Sequence, residues 1–216
     1  MKYYYKRNLP HFVVQGYSYF VTARLANSLP ANIINQLREE YKSNVKVITS
    51  YRNKKKKREK YEQLKWTYFK KFDIMLEKSE KSPHWLKNTA IAKIVKESLH
   101  YRDGKDWNLI AYTIMSNHIH MVFWPYFEKI RKESSYKNYY PLGSIMGSFK
   151  KYTGARANKL LNRTGAFWQT ENYDHIIRNY EELHKIVQYV LNNPVQAGYT
   201  DTLDKYRWNY YNPKFI

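Results

Sequence analysis

Cysteine is absent from the 216-residue sequence. Disulfide bonds are therefore excluded, and so is a metal site held by thiolates. A metal ion bound by this chain would have to use histidine, carboxylate, amide or phosphate ligands. The sequence also lacks any run of about 18 apolar residues, and its N-terminus, MKYYYKRNLPHF, has no apolar leader segment. We therefore expect no membrane partner and a cytoplasmic location.

Acidic residues are scarce relative to basic ones. The chain has 38 Lys and Arg against 18 Asp and Glu, a formal net charge of +20. Aromatic residues make up 18% of it, and 23 of them are tyrosine. Since cations contact phosphates and rings stack on unpaired bases, this composition favours a nucleic-acid partner. An A/T-rich genome would also inflate Lys, Tyr, Asn and Ile, but it would leave the excess of base over acid unexplained.

The periodicity of the apolar residues predicts the order of the secondary-structure elements. Strands are predicted at 16–25, 107–115, 118–125 and within 166–178. Helices are predicted from Pro30 onward, at about 88–100, at about 144–163 and at about 180–193, and a polar loop at 126–140. The order β-α-β-β-α-β plus a C-terminal helix predicts an α+β fold of the ferredoxin-like (RRM-like) type. We expect an antiparallel four-stranded sheet with two helices on one face.

The length of the chain favours one domain over residues 1–216. We expect this domain to carry a Lys-rich helical insertion at about 42–82 and a short aromatic and basic tail at about 200–216. The insertion contains the run RNKKKKREK, which is dense in charge and poor in aliphatic residues. Two interpretations stay open: a solvated helical extension, or an arm that grips phosphates.

Two histidines stand one residue apart in the predicted strand 118–125. Because strand side chains alternate, His118 and His120 share one face, while Ile119 and Met121 point to the other. The apolar face should lie on the helices, so we expect the histidines on the opposite, more open face. Two imidazoles in this arrangement can converge on one divalent cation. The alternative is a pair of structural histidines satisfied by hydrogen bonds.

The last predicted helix carries two polar residues at the edge of its apolar stripe. On a helical wheel, Tyr189 and Asn193 fall on the same flank, one turn apart. A phenol is a potential nucleophile, and an amide oxygen can bind a hard cation. The alternative is a tyrosine lying half-buried over the core. Asn179 and Glu182 predict a capping box at the start of this helix. The stripe itself consists of Leu183, Ile186, Val187, Val190 and Leu191.

The pattern His118-Ile119-His120 at the end of a hairpin resembles the HUH motif, two histidines around a hydrophobic residue, of nucleases built on a ferredoxin-like palm. The segments KKYTGARANKLLNRTGAFWQ and YDHIIRNYEELHKIVQYVLNNPVQAG follow it. Together they resemble the single-tyrosine HUH transposases, in particular the REP-associated branch, where a Trp-Gln strand precedes a helix ending in Tyr-x-x-x-Asn-Pro. The resemblance covers roughly residues 10–30 and 85–200. The Lys-rich insertion is longer than this family leads us to expect.

The resemblance implies an activity and a role for four residues. His118 and His120 would be metal ligands, Asn193 a third ligand and Tyr189 the nucleophile. The metal would be Mg²⁺ or Mn²⁺, and the substrate single-stranded or hairpin DNA. Strands would be cleaved and rejoined through a 5′-phosphotyrosine, by a monomer or a homodimer. A non-catalytic hairpin-binding protein of the same fold and a related HUH nickase are the alternatives.

Basic residues of the helix at 144–163 are the candidate DNA contacts. Its apolar stripe is expected to comprise Leu142, Ile145, Met146, Phe149, Ala157 and Leu160. The candidates lie mostly off this stripe or just before the last helix, and they are Lys150, Lys151, Arg156, Lys159, Arg163 and Arg178. We expect these cations to contact the phosphate backbone and the aromatic tail to stack on bases. The alternative is an ordinary solvated basic face.

Overall fold

A computed structural model describes residues 2–6, 10–127 and 141–215. The chain divides into two compact units. We call residues 1–26 with 84–216 the sheet unit, and residues 27–83 the helical unit. The predicted polar loop at 126–140 lies almost wholly outside the described residues. Within the described ranges, no helix combines the length and the apolar character needed to cross a bilayer.

Five α-helices occur among the described residues. They are α1 (Ala31–Thr49), α2 (Lys54–Glu77), α3 (Thr89–Arg102), α4 (Pro141–Leu160) and α5 (Tyr180–Gln196). The first two make up the helical unit, and the other three belong to the sheet unit. The last helix was predicted to end at about residue 193, before Pro194, but α5 continues through Pro194 to Gln196. Proline removes only its own N–H, and the following turn is closed by the Ala197 N–H, which donates to the Asn193 carbonyl at 3.0 Å.

The sheet unit contains seven strands in the described ranges. They are β1 (Lys2–Lys6), β2 (Pro10–Val14), β3 (Ser18–Arg24), β4 (Trp107–Ile114), β5 (His118–Pro125), β6 (Tyr173–Ile177) and β7 (Asn209–Tyr211). β1 and β2 form a separate antiparallel pair. The other five form one antiparallel sheet in the order β6-β3-β5-β4-β7. The α+β class is confirmed, whereas the expected sheet of four strands is incomplete, because part of the predicted tail adds β7 beside β4.

Alternation along β3 and β5 separates two faces of the sheet. Tyr19 and Val21 of β3, with Ile119 and Met121 of β5, lie in the main apolar core together with residues of α3 and α4. The opposite face carries α5, which packs against β4 and β5. The buried side of α5 contains Ile186, Val187, Val190 and Leu191 of the predicted stripe, whereas Leu183 is only half-buried. Helices therefore cover both faces, two on one side and α5 on the other.

The buried side of α4 differs in one position from the predicted stripe. Leu160 was expected in it, but its side chain is 55% exposed, and Leu161 packs against the core instead. The cause is the helical repeat. The buried residues Phe149, Thr153 and Ala157 follow one another at intervals of four, and this interval leads to position 161 and not to Leu160. Gly154 allows close packing, since a Cβ there would lie 3.2 Å from the Cβ of Phe167.

A buried hydrogen-bonded chain joins α4 to the segment that follows it. The indole N–H of Trp168 donates to Thr153 Oγ1 at 2.8 Å, and that hydroxyl donates to the Phe149 carbonyl at 2.8 Å. Trp168 also forms an isolated antiparallel bridge with Leu25 at the end of β3. The predicted strand at 166–178 is thus split into this bridge and β6, and the bridge holds the segment against the end of β3.

Replacing Thr153 by valine should destabilise the protein more than replacing it by serine. Valine leaves the buried indole N–H of Trp168 without an acceptor, which typically costs about 1–3 kcal/mol. Serine keeps the hydroxyl and loses one buried methyl group, worth about 0.8 kcal/mol. Urea unfolding of both variants measures the difference in the free energy of unfolding. A valine variant as stable as the serine variant would contradict this role of the hydroxyl.

Candidate active site

The two histidines of β5 bring their Nε2 atoms together. His118 Nε2 and His120 Nε2 lie 3.1 Å apart, and the ring centroids are 4.6 Å apart at an interplanar angle of 67°. Both side chains are on the face that carries α5, opposite the core of α3 and α4. The expectation of a more open face is wrong, because His118 is 1% and His120 0% exposed. Strand alternation gives the face of a residue, but it does not tell what covers that face.

Each histidine ring is held by a hydrogen bond at its other nitrogen. His118 Nδ1 lies 2.8 Å from Asn117 Oδ1, and His120 Nδ1 lies 2.7 Å from Thr22 Oγ1. An amide oxygen only accepts, so His118 Nδ1 donates to it, and in the neutral ring Nε2 then presents a lone pair. If the Thr22 hydroxyl also accepts, His120 Nε2 presents a second lone pair towards the first. Partners of this kind fix the tautomer and orientation of metal-binding histidines.

The geometry of the pair fits a shared cation. Two nitrogens about 2.1 Å from one ion lie about 3.0–3.4 Å apart at the angles of octahedral or tetrahedral coordination. The observed 3.1 Å falls in this interval. A single proton shared between the two nitrogens is the other way to satisfy them. In the second case one ring carries the proton on Nε2 and donates it to the lone pair of the other, and the Thr22 hydroxyl can then donate to His120 Nδ1, so the pair can be neutral.

Tyr189 of α5 lies beside the histidine pair. Its ring centroid is 5.9 Å from that of His120 and 6.2 Å from that of Phe20, which in turn is 5.6 Å from His120. The phenol ring is half-buried. The helix therefore brings a potential nucleophile to the face of the sheet that carries the two histidines, and the ring contacts with Phe20 and His120 restrict its orientation.

Asn193 follows Tyr189 by one turn of α5 and is fully buried. Residues at this spacing lie on the same face of a helix. The structure thus brings His118 against His120 and Tyr189 beside His120, and it places Asn193 on the Tyr189 face of the same helix. Its role as a third metal ligand stays a prediction.

The start of α5 is fixed by a capping arrangement close to the predicted one. Asn179 Oδ1 accepts from the Glu182 N–H at 2.8 Å, and the Glu182 carboxylate accepts from the Arg178 N–H at 2.8 Å. The same carboxylate contacts His175 Nε2 of β6 at 2.8 Å. Burial would raise the pKa of Glu182, but the hydrogen bonds from His175 and the Arg178 N–H hold this pKa below its ordinary value. These contacts anchor the helix to β6.

The end of α5 is held by the segment that follows it. Tyr199 Oη is 2.7 Å from Ser116 Oγ, in the turn just before His118, and Asn209 Nδ2 donates to the Leu191 carbonyl at 2.8 Å. Tyr210 of β7 stacks on Tyr112 of β4, with centroids 5.3 Å apart. The ring of Tyr210 is thus packed on the sheet, and base stacking by the tail stays a prediction.

The six basic candidates for DNA contact divide into two groups. Lys150 Nζ donates to the Gln169 carbonyl at 2.6 Å and the Thr170 carbonyl at 3.2 Å. Burial, and to a lesser degree the nearby charge of Arg24, lowers the pKa of Lys150 to about 7. Arg163 stacks on Trp85 with its guanidinium carbon 4.0 Å from the ring centroid. These two side chains make contacts within the chain, and their role in DNA binding stays a prediction. The exposed candidates are Lys151, Arg156, Lys159 and Arg178.

Sequence reasoning missed the residues that orient the histidines. Asn117 directly precedes His118, so its position in the sequence could have identified it as a neighbour of the pair. Thr22 carried no such signal, because it lies 98 positions upstream of His120 and faces it only through the strand register. A register between distant strands depends on the whole core.

No protein-family model and no curated protein matches this sequence. Among solved structures, the fold is similar to that of a REP-associated tyrosine transposase bound to a REP hairpin. The TM-score is 0.50 at 14% sequence identity, and the match covers 95% of this chain and 80% of the other. At this identity the similarity concerns the fold alone.

Mn²⁺ should bind to the protein, and the binding should require both histidines. His118→Ala and His120→Ala each remove a nitrogen from the converging pair, so calorimetric titration should detect no comparable binding to either variant. Thr22→Val removes only the partner of His120 Nδ1 and should weaken binding by about 10- to 100-fold. His184 is exposed on α5 and supplies the matched control, His184→Ala, which should bind as wild type does. Unchanged binding to His120→Ala would show that the pair is structural.

Proposed function

We propose that this protein is a metal-dependent transposase or endonuclease acting on single-stranded DNA, with Tyr189 as the nucleophile. The observation that carries the proposal is the 3.1 Å approach of His118 Nε2 and His120 Nε2 with the Tyr189 ring 5.9 Å from His120. His118, His120 and Asn193 would hold Mg²⁺ or Mn²⁺. The similarity of the fold to a tyrosine transposase bound to a REP hairpin supports the same assignment and a ferredoxin-like core.

The reaction is a transesterification at phosphorus. The bound cation would polarise the phosphate and offset the charge that develops on its oxygens. Tyr189 Oη forms a bond to phosphorus as it gives up its proton, and the bond from phosphorus to the 3′-oxygen breaks. The 3′-oxygen takes up a proton and leaves as a hydroxyl, while the phosphate stays on the 5′ side, joined to Tyr189. A second 3′-hydroxyl can reverse the step and join new strands, because the phosphodiester bond energy is conserved.

The position of Tyr189 restricts the DNA that can react. The phenol is half-buried on a helix anchored at both ends, so it cannot reach a phosphate whose nucleotide is held inside a stacked duplex. A hairpin with a single-stranded flank meets this requirement, because the stem gives a fixed shape and the flank is unpaired. Exposed Lys151, Arg156, Lys159 and Arg178 would contact the phosphates.

The proposal predicts a covalent adduct with DNA. Wild-type protein, a labelled hairpin from the flanks of its own gene and Mn²⁺ should give a complex that resists denaturant on a gel. Tyr189→Phe removes the attacking oxygen and should give no adduct. Tyr180 lies on the same helix with 65% exposure, so Tyr180→Phe is the matched control and should react as wild type does.

The same assay separates an enzyme from a non-catalytic hairpin-binding protein. His120→Ala should lose the adduct yet bind the hairpin, because the basic surface is unchanged. An adduct formed by Tyr189→Phe at the wild-type level would assign the nucleophile elsewhere. Hairpin binding by the wild type without any adduct would favour the non-catalytic alternative.

A further inference from the structure

The connection between α1 and α2 carries the most concentrated charge of the helical unit. Residues 52–60, RNKKKKREK, contain seven cations against one acid, Glu59. Arg52, Lys54, Lys55, Lys56 and Arg58 are exposed, and Lys57 is half-buried. We call residues 52–58 the basic tip of the helical unit. Its side chains are directed to solvent rather than into a core.

Some of the lysines of the helical unit form ion pairs, whereas the cations of the basic tip do not in the described part of the chain. Ion pairs join Lys42 to Glu39 and Lys71 to Glu40 in the body of the hairpin, and Lys65 to Glu62 within α2. Among the described residues, no acidic side chain pairs with those of Arg52, Lys54, Lys55 or Arg58. The positive charge of these four side chains is therefore not neutralised by acidic side chains of the described residues.

Helix stability does not account for this cluster. α2 begins at Lys54, and its first turn contains no acidic residue. Cations at the N-terminal end of a helix are disfavoured by the helix dipole, and neighbouring lysines repel one another. Only two tip lysines have internal partners: Lys57 Nζ donates to the Thr49 carbonyl at 2.9 Å, and Lys56 lies 5.6 Å from the ring centroid of Tyr51. An anionic partner would remove the remaining repulsion.

The basic tip stands on an ordered helical hairpin. Asn53 caps α2 by accepting from the Lys56 N–H at 3.0 Å. Tyr41 of α1 packs on Tyr68 of α2 with ring centroids 4.8 Å apart, and Phe69 is buried. The backbone positions of the cluster are fixed by such a hairpin. Several cations can therefore contact several phosphates without a flexible backbone segment having to become ordered first.

We propose that the basic tip binds the phosphate backbone of double-stranded DNA without reading its sequence. The choice of DNA as the nucleic acid rests on the proposed function. Duplex DNA offers a dense and regular array of phosphates, which suits point charges. Lysine predominates in the tip, and lysine lacks the planar fork with which arginine reads phosphate or guanine edges.

The composition of the tip separates duplex DNA from two other anionic partners. Single-stranded binding uses rings on which bases stack, but residues 52–60 contain no aromatic residue. Peripheral membrane binding combines cations with apolar side chains that enter the bilayer, and residues 52–60 contain none. A cluster that contains cations but no aromatic or apolar side chain is best suited to bind a surface of phosphates.

Neutralising the tip should weaken duplex binding through its salt dependence. In the full chain, Lys54→Gln, Lys55→Gln and Arg58→Gln are combined, and binding of a long duplex is followed by fluorescence anisotropy across a range of salt. The slope of log K against log salt should become shallower by about 2–3, since each lost phosphate contact contributes about 0.9. The matched control combines Lys46→Gln, Lys78→Gln and Lys81→Gln, exposed lysines of the same unit, and should change the slope little. Circular dichroism checks that both variants fold.

Three outcomes would overturn the proposal. Equal changes of slope in the two variants would show a general effect of net charge. An unchanged slope in the tip variant would show that the tip does not contact duplex DNA. Loss of binding to vesicles of anionic lipid, with duplex binding intact, would assign the tip to a membrane surface.

The proposal for the basic tip and the proposed function can be contradicted independently of each other. The adduct assay on a hairpin with a short stem reports on Tyr189, and the slope with a long duplex reports on the tip. A shallower slope in the tip variant without any adduct in the wild type supports the tip and contradicts the transposase. An adduct together with an unchanged slope supports the transposase and contradicts the tip.

Discussion

The site depends on the close approach of two imidazole nitrogens inside the sheet unit. His118 Nε2 and His120 Nε2 are 3.1 Å apart and shielded from water, and both rings are held at their other nitrogen by Asn117 and Thr22. Burying polar groups is unfavourable unless they are satisfied, and facing lone pairs need a proton or a cation between them. The pairing of β3 with β5 creates this arrangement, because it places Thr22 opposite His120.

The second element of the site is a helix whose two ends are tied to the sheet. At its start, Glu182 joins α5 to His175 of β6, and at its end Asn209 joins the Leu191 carbonyl to β7. These contacts set the angle of α5 across the face that carries the histidines. Tyr189 therefore approaches His120 from a rigid position. A reaction that needs in-line attack gains from such fixed geometry, because a small displacement of the nucleophile lowers the rate strongly.

The sequence predicted those features that depend on local periodicity. Strand alternation put His118 and His120 on one face, the wheel of α5 gave its buried side, and Asn179 with Glu182 marked its start. Features that depend on contacts between distant segments were missed. Thr22 meets His120 through strand register, β7 forms from a segment without a strong strand pattern, and Lys150 turns inward to two backbone carbonyls. Burial of the histidines was missed for the same reason, because strand alternation does not show which elements pack over a face.

The central claim is that His118 and His120 share a divalent cation beside Tyr189. Anomalous diffraction from crystals of the protein grown with Mn²⁺ tests it most directly, because the signal locates the ion itself. The account predicts one strong peak about 2.1 Å from both Nε2 atoms, on the side of the Tyr189 ring. A map without a peak there, with the two nitrogens still in direct contact, would show that the histidines form a structural hydrogen-bonded pair.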